Sequence, residues 1–169
     1  MKQLILVRHA KSSWKDSSIE DHDRPLNKRG EREAPYMAKV LSKRKITPDI
    51  IVSSTAERAW TTAREFAKKL DYKKKDIVRE KELYMADVDD MLQYVKDIND
   101  KHSVVMLVGH NPGLTSFANL LSKDSIDNIP TCGVYALQFD IESWKDVGAE
   151  KGKVTFFEYP KMYFKDSED

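Results

Sequence analysis

Residues 4–16 read LILVRHAKSSWKD. Four apolar residues run directly into Arg8 and His9. An unbroken apolar run of this length is the pattern of a strand covered on both faces, as in a parallel sheet. Such a strand delivers an arginine and a histidine at its carboxyl end. The histidine is then either a satisfied structural residue or a nucleophile with its phosphate-binding arginine beside it.

Further runs of strand length are DIIVS (49–53), VVMLVG (104–109), VYALQF (134–139) and VTFFEY (154–159). Between them lie segments with helical spacing. Residues 27–45 open on Asn27, a good N-cap, and place Ala34, Met37, Ala38 and Leu41 on one face. Residues 55–70 place Ala59, Ala63, Phe66, Ala67 and Leu70 together, and 88–98 do the same with Val88, Met91, Leu92 and Val95. Residues 112–121 follow Asn111-Pro112, a cap and then a proline at the first helical position.

Strand alternating with helix predicts an α/β fold: a three-layer α/β/α sandwich with a mostly parallel central sheet, in one domain over 1–169. The last two strands are joined through 140–153 without an obvious helix, which suits an antiparallel edge hairpin. The tail KDSED (165–169) reads as frayed.

Charge narrows the partners. Lys plus Arg number 29 against 28 Asp plus Glu. A balance this even gives no general attraction to nucleic acid or to a membrane surface. Any basic site must be a local concentration. Cys132 is the one cysteine, so no intrachain disulfide forms, and it reads as a small buried thiol. No apolar run approaches the ~20 residues that span a bilayer. The charged RHAK follows MKQLILV at once, unlike a signal peptide. The expectation is a soluble, cytoplasmic protein.

In open sheets of this kind, sites form outside the carboxyl ends of the strands. Three such ends carry phosphate-compatible groups: Arg8-His9, SSTAERA (53–59) and GHNPG (109–113). Ser54 with Glu57 three residues later reads as a capping box, which starts a helix and puts Arg58 near its first turn. A cation gains nothing from the positive end of a helix dipole. Arg58 is therefore either solvent-exposed or a guanidinium held beside free N–H groups to grip an anion. His110, between an apolar strand and a helix, is by itself equally open to a structural or a functional reading.

Two histidines and two arginines at one sheet edge share a natural target, a compact phosphoryl dianion. Other chemistries lack their residues. The four histidines (9, 22, 102, 110) show no metal-ligand spacing, and there is no Walker loop, GxGxxG or G-x-S-x-G elbow. No metal and no cofactor are expected. Ser53 and Ser54 are better explained by capping than as nucleophiles. His102 reads as exposed, and His22 as solvent-facing in a polar loop.

Together these pieces resemble the histidine phosphatase superfamily, marked by R-H-G after the first strand with a second arginine and a second histidine completing the pocket. RHA (8–10), Arg58 and His110 match in order and context, and RPLNKRG (24–30) resembles the stretch before the family's first long helix. The likeness spans about 4–121 and continues through TCGVYAL (131–137). Short length, RHAKS, RPLNKRG and ELYMADV together resemble the SixA-type bacterial phosphohistidine phosphatases.

The resemblance implies a phosphoglycerate-mutase-like fold without a large cap insertion. It implies His9 as nucleophile, protonated His110 as its catalytic partner, and Arg8 and Arg58 as substrate-binding residues. Glu82 sits roughly where larger members place their catalytic acid, with Asp21, Asp23 and Asp87 as alternatives. Two other departures matter. Ala10 replaces the motif glycine, and Lys15 follows Trp14 where phosphoglycerate mutases have an asparagine that touches phosphate. Lys15 faces phosphate or solvent.

The implied reaction is attack by neutral His9 on phosphorus, giving a phosphohistidine that water then hydrolyses. The implied partner is a protein carrying phosphohistidine, or else a small phosphate ester or a phosphoserine-type protein. Departure of an alkoxide needs a proton delivered to oxygen. Imidazole leaves more easily, because its other nitrogen can already carry a proton and its conjugate acid has pKa ~6.5. A site with an ambiguous acid therefore suits P–N substrates. A non-catalytic phosphate-binding module would use the same cations, but would not need both histidines.

Overall fold

A computed structural model describes residues 1–167. Six strands, among the described residues, form one mixed sheet: β1 (Lys2–Arg8), β2 (Ile50–Ser54), β3 (Val78–Glu80), β4 (Val104–Gly109), β5 (Val134–Phe139) and β6 (Gly152–Glu158). Their order is β3-β2-β4-β1-β5-β6. The first four strands in that order are parallel to their neighbours, and β5 is antiparallel to both β1 and β6.

The β5–β6 pair is the expected edge hairpin. Its connection carries only one short 3-10 turn, Trp144–Asp146. The strand β3 went unread in the sequence because three half-buried or exposed residues at a sheet edge leave no apolar run.

Four α-helices, among the described residues, cover the two faces: α1 (Lys28–Lys43), α2 (Glu57–Lys69), α3 (Val88–Lys96) and α4 (Gly113–Leu121). Alternation along β1 sorts its side chains between two cores. Ile5 and Val7 pack with Met37, Leu41, Ala63 and Phe66 of α1 and α2. Leu4 and Leu6 pack with Met91, Val95, Leu114 and Phe117 of α3 and α4. All four of these β1 residues are fully buried, as a doubly covered strand requires. No helix among the described residues is long and apolar enough to cross a membrane.

Local chemistry explains most helix starts. The Asn27 side chain accepts the Gly30 N–H at 2.9 Å, and Asp87 with Asp90 forms a reciprocal capping box on α3. The expected capping box at Ser54 and Glu57 is not there. Ala56 occupies the cap position of α2 without a side-chain bond, and Glu57 accepts from Thr61 instead. Helix α4 begins at Gly113, one residue later than expected, while the Asn111 side chain accepts from both the Thr115 N–H and its hydroxyl.

The tail also differs from expectation. Asp166 pairs with Arg32 at 3.1 Å, and buried Ser167 bonds to the fully buried Glu33. The remainder of the KDSED stretch, 168–169, lies outside the described residues. Cys132 is buried, as read.

One glycine fixes how α1 meets the end of β1. A Cβ on Gly30 would lie 2.2 Å from the Lys11 carbonyl oxygen, so only glycine lets the helix start that close to the RHAK segment. Gly30→Ala should therefore cost about 1–3 kcal/mol, a drop of roughly 3–10 °C in thermal midpoint for a chain of this length. An unchanged melting curve would mean that α1 slides away from Lys11 freely.

Candidate active site

The register of the sheet brings the motif residues together. Arg8 stands opposite Gly109 in the parallel β1–β4 pair, so His9 and His110 leave the sheet side by side. The His9 N–H donates to the Gly109 carbonyl at 3.1 Å, and the two imidazole centroids are 5.1 Å apart. On the other side, the Cys132 N–H donates to the carbonyls of Arg8 and His9, both at 3.0 Å. Helix α2 supplies a third tether. Its buried Thr62 hydroxyl accepts the Ala10 N–H at 3.0 Å and donates to the Arg58 carbonyl at 2.7 Å. Ala10 is fully buried, so its methyl group is accommodated in the core.

These residues line a cleft of about 290 Å³, bordered by Arg8, His9, Lys11, Asp21, Arg58 and His110 among others. His9 is buried, and its Nδ1 lies 2.7 Å from the Ala10 carbonyl. A carbonyl only accepts, so Nδ1 carries the ring proton and Nε2 keeps the lone pair of the neutral ring. Burial lowers the His9 pKa well below its ordinary value, with His110, Arg58 and Arg8 adding to the effect. The ring is therefore an unprotonated base at neutral pH.

His110 is held by Ser54, whose Oγ lies 2.8 Å from Nε2. That oxygen also accepts the Ala56 N–H at 3.2 Å. The buried His110 Nδ1 has no hydrogen-bond partner. Burial first, and Arg58 next, lower the His110 pKa to about 3. Burial and the neighbouring guanidinium cations therefore favour the neutral form of His110, whereas the resemblance implies a protonated ring when a phosphoryl group is held.

Arg58 is not solvent-exposed. It is buried, and it donates from Nη1 to the Asp21 carbonyl at 2.6 Å and from Nη2 to Asp21 Oδ2 at 3.0 Å. Arg8 donates from Nη1 to the Ile129 carbonyl at 3.0 Å. Asp21 is a hub. Its Oδ2 also accepts from the Tyr84 hydroxyl at 2.5 Å, and its Oδ1 accepts from Arg24 Nε at 3.1 Å. The Tyr84 bond, followed by Arg58 and Arg24, holds the Asp21 carboxyl far below the usual carboxylate range.

The four carboxylates considered for the acid separate clearly. Asp21 lines the cleft. Glu82 is exposed on the short turn Lys81–Leu83 and is not among the lining residues, because the chain turns there to bury Leu83 instead. Asp23 is exposed beside His22, and Asp87 caps α3. Lys15 is exposed and does not line the cleft, whereas Lys11 does. His22 is half-buried at its border, where its ring meets Tyr84 edge-on at 4.8 Å and its Nε2 reaches Thr55 Oγ1 at 2.8 Å. His102 is also half-buried, and its carbonyl accepts from Lys2 and Trp144.

Sequence reasoning missed Lys11, Ser12, Trp14 and Arg24 as lining residues. The RPL stretch was the one signal that pointed toward Arg24. Among the described residues, no group of three or more His, Cys, Asp or Glu is placed to hold a metal ion.

The lowered pKa values have a stability consequence. Unfolded imidazoles take up protons near pH 6.5, while the folded rings resist until far lower. The unfolded state thus binds more protons between about pH 6.5 and pH 3, and stability falls as pH drops through that window. In a histidine-resolved NMR titration, the rings of His9 and His110 should stay flat from pH 8 to 5. A midpoint near 6.5 at either ring would contradict the arrangement. Inorganic phosphate should raise the His110 midpoint, because a dianion favours its charged form.

Comparison with known proteins adds four findings. A family model described as the histidine phosphatase superfamily, branch 1, matches residues 4–103. An uncharacterised chloroplastic protein of Arabidopsis thaliana is 35% identical over 159 residues, covering 89% of this chain and 72% of that one. A crystal structure of SixA from Agrobacterium tumefaciens, a protein assigned to the phosphohistidine phosphatases, superposes with a TM-score of 0.81 at 28% identity. It covers 94% of this chain and 98% of its own. A tungstate complex of the protein histidine phosphatase SixA shares the fold, at a TM-score of 0.80 and 20% identity. The architecture is therefore the phosphoglycerate-mutase-like sandwich, with no large insertion evident.

Proposed function

The chain belongs to the histidine phosphatase superfamily, branch 1, and on that premise we propose that it is a phosphatase releasing the phosphoryl group of phosphohistidine on a protein. One observation carries this reading. The cleft combines an unprotonated His9 Nε2 and two guanidinium-bearing walls with one lining carboxylate among the described residues, Asp21, that is held ionised.

The roles follow from the geometry. His9 Nε2 attacks phosphorus in line. The bond from phosphorus to the substrate's ring nitrogen breaks, and that nitrogen keeps the electron pair. The leaving ring departs as neutral imidazole once its other nitrogen holds a proton, which solvent supplies near the ordinary imidazole pKa of ~6.5. Water then attacks the phosphoryl group on His9 and yields inorganic phosphate. Arg8 and Arg58 offset the charge on the phosphoryl oxygens, and the unpartnered His110 Nδ1 offers a further donor.

The state of Asp21 favours nitrogen over oxygen as the leaving atom. A carboxylate bound by Tyr84, Arg58 and Arg24 has no proton to give an alkoxide. Glu82 acting as acid would have to reach the cleft from an exposed turn outside it. The SixA relative is similar along the whole chain, which supports the same substrate class.

The direct comparison is between a phosphohistidine protein and a panel of phosphate esters, in wild type and in His9→Ala. Phosphohistidine should be preferred by kcat/KM, and His9→Ala should lose roughly three orders of magnitude or more on it. A chelator should leave the activity unchanged. Turnover of sugar phosphates with no release from phosphohistidine would defeat the substrate assignment, and no turnover of either would favour a phosphate-binding module.

A further inference from the structure

Trp14 is among the most exposed large apolar side chains of the described residues, at 72% of its accessible surface, and it lines the mouth of the phosphate cleft. A single exposed apolar side chain is ordinary by itself; what sets this indole apart is its place beside the cleft. Trp14 is also held in place. The Arg24 guanidinium lies 3.5 Å from its ring centroid and covers one face.

Arg24 is itself buried, at 6% exposure, and fully tethered. It donates to Ser12 Oγ at 2.7 Å, to the Ser13 carbonyl at 3.2 Å and to Asp21 Oδ1 at 3.1 Å. The same Asp21 carboxylate holds Arg58 through its other oxygen. One carboxylate thus ties the guanidinium behind the indole to a guanidinium in the phosphate cleft. The spacing between ring surface and phosphate pocket is set by that bridge rather than by a flexible loop.

We propose that the outer face of Trp14 is a platform for the leaving ring of the substrate, and so a specificity-determining residue for a planar aromatic leaving group. This rests on the phosphohistidine reading above. With the phosphoryl group between Arg8 and Arg58, the imidazole bonded to it lies at the cleft mouth. There a fixed indole offers an offset-stacking surface. A flat ring gains from that contact, and a leaving group without a ring gains nothing. The platform also sits outside the charged pocket, so it selects the leaving group without touching the oxygens that His9 and the arginines engage.

The test compares two P–N substrates that differ in the ring. One is a phosphohistidine protein and the other is phosphoramidate, whose leaving group is ammonia. An aromatic pair contributes about 0.5–1.5 kcal/mol, which converts to roughly two- to tenfold. In Trp14→Ala the ratio of kcat/KM for phosphohistidine over phosphoramidate should fall by that factor, mostly through KM. In Trp14→Phe most of the ratio should remain. An equal fall on both substrates would overturn the platform and leave Trp14 as a structural prop for Arg24. An unaltered ratio in Trp14→Ala would overturn it too, while wild-type turnover of phosphohistidine kept the parent reading intact. If the wild type released nothing from phosphohistidine, parent reading and platform would fall together.

Discussion

The parallel pairing of β1 with β4 is the constraint on which the cleft depends. Its register sets Arg8 beside Gly109, so the residues that follow, His9 and His110, emerge at the same edge with their rings 5.1 Å apart. A slip of one residue would turn Leu4 and Leu6 out of one core and Ile5 and Val7 out of the other. Burial on both faces therefore fixes the register, and the register fixes the site. The antiparallel strand β5 closes the opposite side of β1, where the Cys132 N–H binds the carbonyls at the strand's end. The backbone at His9 is held from both neighbours before any side chain is considered.

Charge then decides what those side chains do. Two arginines, Arg8 and Arg58, line the cleft, and together with burial they favour the neutral form of both imidazoles. A neutral His9 is the form that the proposed attack requires. Asp21 limits the excess of positive charge and orders it, by binding Arg58 with one oxygen and Arg24 with the other. Its cost is the loss of a proton donor in the cleft. That trade suits a leaving group which needs no proton from the protein. The same carboxylate connects Arg58 in the cleft to Trp14 through Arg24, so in the proposed function charge balance and ring selection would share one bridge.

Much of this was readable in the chain, and the parts that were not have a common cause. The central strands were legible because a doubly covered strand must be apolar throughout, as in LILV and VVMLVG. The amphipathic faces of α1 and α2 were legible for the same reason. His9, Arg8, Arg58 and His110 were picked out because strand ends are where an open sheet places its polar groups, and all four line the cleft. Ser54 was misread because its local spacing matched a cap, whereas its oxygen lies against His110, 56 positions away. Glu82 was favoured by its neighbourhood in sequence, but its turn buries Leu83 and leaves it outside the cleft. The tail was read as frayed because nothing in KDSED announces that Glu33 is buried and waiting for Ser167. Lys11 and Trp14 escaped notice because a loop's side chains are placed by distant partners such as Arg24 and Gly30.

The central claim is that the phosphoryl group passes through Nε2 of His9. Rapid acid-free quenching during turnover of a phosphohistidine protein, followed by peptide mass spectrometry, tests it most directly. The account predicts one acid-labile, base-stable phosphoryl group on the peptide containing His9, formed and lost at rates compatible with turnover. The same label should be absent in His9→Ala. Full phosphate release at the wild-type rate with no phosphorylated His9 at any time would contradict it, and would mean that water attacks the substrate directly.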